Sequence, residues 1–201
     1  MLAAGLAAWA AGGLLVHGGP AWQIGAIAVP SPRPPSTVVA GTAVQPAAVP
    51  PVGLRLPGAA ASSPVLPVTV DPGGALGVPE DPATLGWWSG GATPGGGAGS
   101  IVIDGHVDSS RYGVGVFSQL RSLNVGDAIE LDSSDGATRV YAVTGRRLYE
   151  KTALPAEVFD QNVGERLVLI TCGGTFDSRS RHYSQNTVVY AVPLTQRVSG
   201  H

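Results

Sequence analysis

What most limits the fold of this chain is the form of its apolar segments. They are short, rich in β-branched residues, and closed at their ends by glycine, aspartate or proline. Residues 65–70 are followed by Asp71-Pro-Gly-Gly74, and residues 100–103 lead into Asp104-Gly-His. Asp135-Gly136 separates residues 128–131 from residues 139–144. Residues 167–171 run into Cys172, and residues 187–192 come last. Short runs bounded by turn residues are the signature of strands, and many of them at this spacing predict a barrel or sandwich. Two segments have a helical pattern. Residues 116–123 place Val116, Phe117, Leu120 and Leu123 on one face, and residues 155–160 offer Pro155 as a first helical residue. The 29 glycines and 17 prolines among 201 residues exclude a helical bundle and suit a loop-rich β protein.

The flanks differ from this middle. The first 32 residues carry no Asp, Glu, Lys or Arg, and residues 1–29 form an apolar stretch broken only by His17, Pro20 and Gln23. A spanning helix needs roughly 20 apolar residues, so residues 1–29 are expected to direct the chain to a membrane. They do so either as an uncleaved anchor or as a signal peptide with Ala26-Ile27-Ala28 as its cleavage site. Residues 30–51 hold seven prolines and no apolar periodicity. Such a composition predicts an extended spacer. The folded domain is then expected over residues 52–198. A net charge of −2 supplies no basic field for nucleic acid.

The chain has one cysteine, Cys172. With no partner for a disulfide it is buried and inert, dimer-forming, or a reactive thiol. Its setting favours the last: an apolar strand predicted to end at Thr171-Cys172 and open into Gly173-Gly174 puts a side chain at a rim that a substrate backbone can approach. An ordinary thiol, with a pKa of about 8.5, is mostly protonated at neutral pH and needs a base or a cation beside it. Of the four histidines, His17 lies in the leader, His201 is terminal, and His182 sits in a polar, turn-like stretch. His106 follows a predicted strand and Gly105, a placement matching that of Cys172. Arg179 and Arg181 come shortly after the cysteine. A guanidinium there is suited to hold the oxyanion of a tetrahedral intermediate. No paired His/Cys spacing suggests a metal, and Gly95-Gly-Gly-Ala-Gly99 lacks the Lys-Ser/Thr of a nucleotide loop, so no cofactor is expected. The order His, Cys, Arg differs from papain-like sites, where Cys precedes His, and the Ser-His-Gly-Cys signature of L,D-transpeptidases is absent.

Several pieces in order and spacing carry a family resemblance. They are Leu54-Arg-Leu-Pro57, Ala75-Leu-Gly-Val-Pro79, Leu85-Gly-Trp-Trp88, Thr93-Pro-Gly95, Gly105-His-Val-Asp108, Gly126-Asp127, Leu169-Ile-Thr-Cys-Gly-Gly174 and Asn186-Thr-Val-Val-Tyr-Ala191. Over residues 54–194 the chain resembles a sortase, of the class called F and close to class E, from high-GC Gram-positive bacteria. The resemblance implies a mainly β fold, an eight-stranded β-barrel with one or two short helices. It implies Cys172 as nucleophile, His106 as the acid that protonates the leaving amine, and Arg181 as the family arginine, with Arg179 the alternative. Thr171, Gly173 and Arg179 are the implied substrate-binding residues. The implied substrate is an exported protein bearing a Leu-Pro-x-Thr-Gly sorting signal, cut between Thr and Gly. The implied acceptor is a peptidoglycan-precursor amine or water, and the implied location is the cell membrane with the catalytic domain outside.

Residues 147–166 are expected to form the substrate-contacting loop. Three positions depart from the pattern: residues 57–63 are poor in apolar strand residues, Asp104 precedes Gly-His, and Ser184 follows Tyr183. Two other outcomes stand beside the transpeptidase: a thiol peptidase that only hydrolyses its thioester, and a wall-facing binding domain without activity.

Overall fold

The computed structural model describes residues 23–31, 49–179 and 182–194. Among these residues the strands are β1 (Ile24–Gly25), β2 (Pro51–Leu56), β3 (Ala61–Val68), β4 (Leu85–Trp88), β5 (Ser100–Asp104), β6 (Asp108–Ser109), β7 (Gly113–Val114), β8 (Ala128–Ser133), β9 (Thr138–Glu150), β10 (Arg166–Asp177) and β11 (His182–Pro193). The order β9-β11-β10-β5-β4-β3-β2-β8 closes when β8 pairs back onto β9, which gives the expected eight-stranded barrel. β1 lies outside that ring, on the edge of β9, and β6 and β7 form a separate small hairpin. Within the barrel β3–β4 and β5–β10 are parallel; the other pairs are antiparallel.

Alternation decides which side chains fill the barrel. Along β8, Ile129 and Leu131 are fully buried while their neighbours are partly exposed, the period of two expected of a strand. These two join Leu54, Leu56, Leu85, Ile101, Ile103, Leu167, Leu169 and Val189 in the interior. A second apolar cluster lies on the other face of β5, β10 and β11. There Val102, Val168, Ile170, Val188 and Tyr190 are covered by Leu154, Val158 and Phe159 from the β9–β10 connection. β5 and the first half of β10 are thus buried on both faces, which is why both read as continuous apolar runs.

The two predicted helices are present as 3-10 helices, Val116–Ser122 and Ala156–Phe159. In the first, Phe117, Ser118 and Leu120 are buried, and the apolar row Phe117, Leu120 continues to the buried C-cap Leu123. Their spacing of three matches a helix of three residues per turn rather than 3.6. Pro155 is the N-cap of the second rather than its first helical residue. The weak stretch at 57–63 resolves into a 3-10 turn, Pro57–Ala59, and the first residues of β3, which begins at Ala61. β9 extends to Glu150 rather than ending near residue 144, so the connection to β10 starts later than the predicted loop at 147.

Residues 23–31, which the sequence places in the leader and the start of the spacer, lie against the barrel. Ile24 pairs with Arg146 and Gly25 with Gly145. The Arg147 guanidinium donates to the carbonyls of Ile24 and Gly25, each at 2.6 Å. Ile27 packs on the outer cluster, and the Gly164 N–H donates to the Pro30 carbonyl at 2.6 Å. Residues 1–22 and 32–48, most of the predicted leader and spacer, lie outside the described residues. No helix among the described residues is long and apolar enough to cross a membrane.

Candidate active site

The site grows from the parallel pairing of β5 with β10. Their register runs from Arg166 opposite Ser100 to Ile170 opposite Asp104. Two bonds carry it one step further: the Gly105 N–H donates to the Ile170 carbonyl at 3.2 Å, and the Thr171 hydroxyl donates to the Gly105 carbonyl at 2.7 Å. In sequence, His106 comes next, past the end of β5, and Cys172 comes next within β10, so the paired part of the two strands leads to both residues. Both residues are half-buried, and they do not hydrogen-bond to each other. Only glycine fits at 105, because a Cβ there would lie 2.5 Å from Leu85 Cδ2 and 3.1 Å from Phe117 Cδ2.

The sequence predicts that the strand ends at Cys172 in a glycine turn. Instead β10 continues to Asp177, with Cys172 opposite Asn186 and Gly173 opposite Gln185 on β11. The glycines form an irregularity inside the hairpin, where the register shifts between Gly173 and Phe176 and Gly174 takes a φ of +75°. That conformation suits glycine. The thiol's exposure thus comes from a kinked hairpin rising past the barrel, not from the end of a strand.

Thr171, Cys172 and Gly173 line a cavity of about 430 Å³ together with Phe117, Leu148 and Thr187. Arg146 lines it too and donates to the carbonyls of Leu123 at 2.6 Å and Leu120 at 3.4 Å, closing the end of the 3-10 helix Val116–Ser122. Burial lowers the pKa of its guanidinium. A larger hollow of about 1200 Å³, between residues 28–31 and residues 138–141, is lined by no thiol or imidazole among the described residues.

Two contacts tie the loops around the thiol together. The Tyr183 hydroxyl on β11 donates to Asp108, two residues after His106. That bond, with some burial, pushes the phenol up to about 12, so it stays a neutral donor. Phe176 stacks on Tyr183 at 5.1 Å between ring centroids. On the other side Lys151 Nζ lies 3.6 Å from Cys172 Sγ. Sequence reasoning missed Lys151, whose only signal was its place after a polar strand end.

The predicted arginines contribute differently. Arg179 is exposed in the hairpin turn, with its N–H donating to Asp177 Oδ1 at 2.8 Å. Arg181 lies outside the described residues. The Thr171 hydroxyl is committed to Gly105, so it ties the two strands rather than serving as a free donor. His182 begins β11 rather than sitting in a turn. Asp104 is buried at 6 % exposure and its Oδ1 accepts no hydrogen bond.

Comparison with known proteins follows the geometry. The barrel is similar to sortase A from Corynebacterium diphtheriae (21 % identity, TM-score 0.56), with 76 % of this chain and 64 % of that chain covered. The match thus spans less than two thirds of that relative's length. It is also similar to sortase C-1 from Actinomyces oris (21 % identity, TM-score 0.54, 71 % and 72 % covered) and to the Group B Streptococcus pilus island 1 sortase C2 (15 % identity, TM-score 0.54, 71 % and 72 % covered). No curated protein sequence matches the chain. A family model of the sortase domain matches residues 54–194, which begin within β2 and end one residue after β11, and so take in the whole barrel except its first strand's opening residues. The chain therefore belongs to the sortase family.

Proposed function

We propose that this protein is a membrane-anchored, class F-like sortase that acts outside the cell on Leu-Pro-x-Thr-Gly-type sorting signals. The Cys172 thiolate attacks the threonine carbonyl carbon. A tetrahedral oxyanion forms, the C–N bond to glycine breaks, and His106 gives its proton to the departing amine. The thioester left on Cys172 is then attacked by an amine of a peptidoglycan precursor, which takes the acyl group and releases the thiol. Arg181, or Arg179 in its place, donates to the oxyanion. Gly173 gives the substrate chain close access beside the thiol. Of the apolar stretch 1–29, the part before β1 anchors the chain, and no metal or cofactor takes part.

The observation that most supports this reading is the parallel register of β5 and β10, which the Gly105 and Thr171 bonds carry up to the residues just before His106 and Cys172. The adjoining cavity is large enough for a few peptide residues.

The test is mass spectrometry of the full chain after exposure to a library of sorting-signal peptides. A thioacyl adduct on Cys172, lost in Cys172→Ala and reduced about 10²- to 10⁴-fold in His106→Ala, is the expected result. No adduct with any peptide, together with an inert Cys172 toward a thiol-reactive peptide mimic, sinks the catalytic reading and leaves a wall-facing binding domain. An adduct whose breakdown products ignore added amine leaves a hydrolysing peptidase.

A further inference from the structure

The sulfur of Cys172 is flanked from two directions. β5, which leads to His106, lies on one side of β10, and on the other side come β11 and then β9. Cys172 is opposite Asn186, and Asn186 is opposite Tyr149. One row across the sheet thus joins the thiol to β9, two strand spacings or about 10 Å away. A side chain pointing straight out of β9 would not cross that gap. The chain instead leaves β9 at Glu150 and turns into the 3-10 helix Lys151–Ala153, which carries Lys151 back over β11 and sets its Nζ 3.6 Å from Cys172 Sγ.

The turn is held and its charges are sorted. Gln185 Nε2 donates to Glu150 Oε1 at 2.7 Å, which ties the carboxylate next to Lys151 in sequence to β11. The described ion pairs are Arg55 with Glu130 and Asp132, Arg111 with Glu80, and Arg139 with Asp135. Among the described residues Lys151 pairs with no carboxylate. Tyr183, which also interacts with the thiol, is held neutral by Asp108. Among the described residues Lys151 is thus a cation whose contact is the sulfur and not a carboxylate.

We propose that Lys151 is a further catalytic residue, an ammonium that holds Cys172 as its thiolate. The inference rests on Cys172 being the nucleophile. A cation beside a thiol raises the population of the attacking form. The same charge steadies the thiolate as leaving group when the acceptor amine resolves the thioester. Lys151 transfers no proton in either step; it balances a negative charge that appears on sulfur, vanishes in the thioester, and returns. Lysine supplies this from the connection after β9, a different wall from the hairpin that carries the predicted arginines.

Alkylation tests it without substrate. The second-order rate of iodoacetamide with the full-chain protein is measured at neutral pH and low salt, for wild type, Lys151→Gln, Lys151→Arg and Lys151→Glu. Exposed ion pairs are modest, so Lys151→Gln should react about three- to five-fold more slowly and Lys151→Glu about ten-fold more slowly. Lys151→Arg should stay within about two-fold of wild type, and the gap between wild type and Lys151→Gln should shrink in high salt. Wild-type reactivity in Lys151→Gln overturns the proposal. So does a Lys151→Arg rate as slow as that of Lys151→Gln, which marks a packing role. Failure here is separable from failure of the transpeptidase reading. Thioacyl formation on Cys172 with alkylation indifferent to Lys151 removes only this inference. Lysine-dependent alkylation with no thioacyl adduct keeps the ammonium–thiolate pair but removes its catalytic role along with the transpeptidase.

Discussion

Replacing Asp104 by asparagine should remove a pH dependence of stability that is built into β5. Asp104 ends that strand with its side chain buried, and Oδ1 accepts no hydrogen bond. The space around it is filled by backbone and apolar groups: a Cβ placed on Gly86 would meet Asp104 Oδ1 at 2.5 Å and Pro79 Cδ and Val68 Cγ1 at 3.0 Å each. Burial pushes the carboxyl up to about 7, whereas in the unfolded chain an aspartate titrates near 3.9. Between those values the folded protein holds a proton that the unfolded chain has released. Its stabilising contribution is complete below about pH 4 and is lost as pH rises through about 7. Three pH units at 1.36 kcal/mol each give about 4 kcal/mol as the order of the loss. Asp104→Asn is neutral throughout and should lose none of it. Urea denaturation of both proteins from pH 4 to pH 8 measures this. The variant should be close to wild type at pH 4 and gain on it steadily, ending more stable by about 2–4 kcal/mol at pH 8. A stability difference that stays constant across the range refutes the argument, because it means Asp104 titrates alike in both states.

Two more outcomes follow from contacts near the site. Thr171→Val keeps the shape but leaves the Gly105 carbonyl without its 2.7 Å donor; denaturation should show a loss of about 1–3 kcal/mol, acyl-enzyme formation should slow because the strand carrying His106 is freed, and Thr171→Ser should restore both. Arg147→Ala removes both 2.6 Å bonds to Ile24 and Gly25; limited proteolysis should then cut within residues 23–31 before it cuts elsewhere in the barrel, and hydrogen exchange at Ala26, whose N–H donates to Thr144, should rise while that of β10 does not.

What the sequence disclosed depended on how each residue is buried. β5 and the start of β10 were legible because both of their faces are covered, so nearly every position is apolar. The far half of β9 was not, because Arg146 and Arg147 point their charge at carbonyls of other segments and look like loop residues. β4 was hidden by Gly86, which is small because Asp104, Pro79 and Val68 crowd it. His106 and Cys172 could be singled out because each stands next to glycine at the end of an apolar run. The pairing of the two strands that lead to them could not, since it depends on parallel strands joined by a long connection. The contact of Lys151 with Cys172 and the bond between Tyr183 and Asp108 could not be read locally: each spans separate segments, and none of Lys151, Tyr183 and Asp108 differs in type from a solvated surface side chain.

The seating of β1 has a consequence for how the molecule is assembled. Ile24 and Arg147 are 123 positions apart, so the first described strand to leave the ribosome must wait for almost the whole barrel before it has anything to pair with. Beyond the level where β8 leaves it, β9 has one side paired with β11 and the other closed by β1. Until β1 arrives that side is a bare edge, and bare edges accept any strand that comes near. The order of events therefore matters as much as the final contacts: whether the seam is closed by the chain's own first strand or by a neighbouring molecule is decided in the interval between making β9 and docking β1.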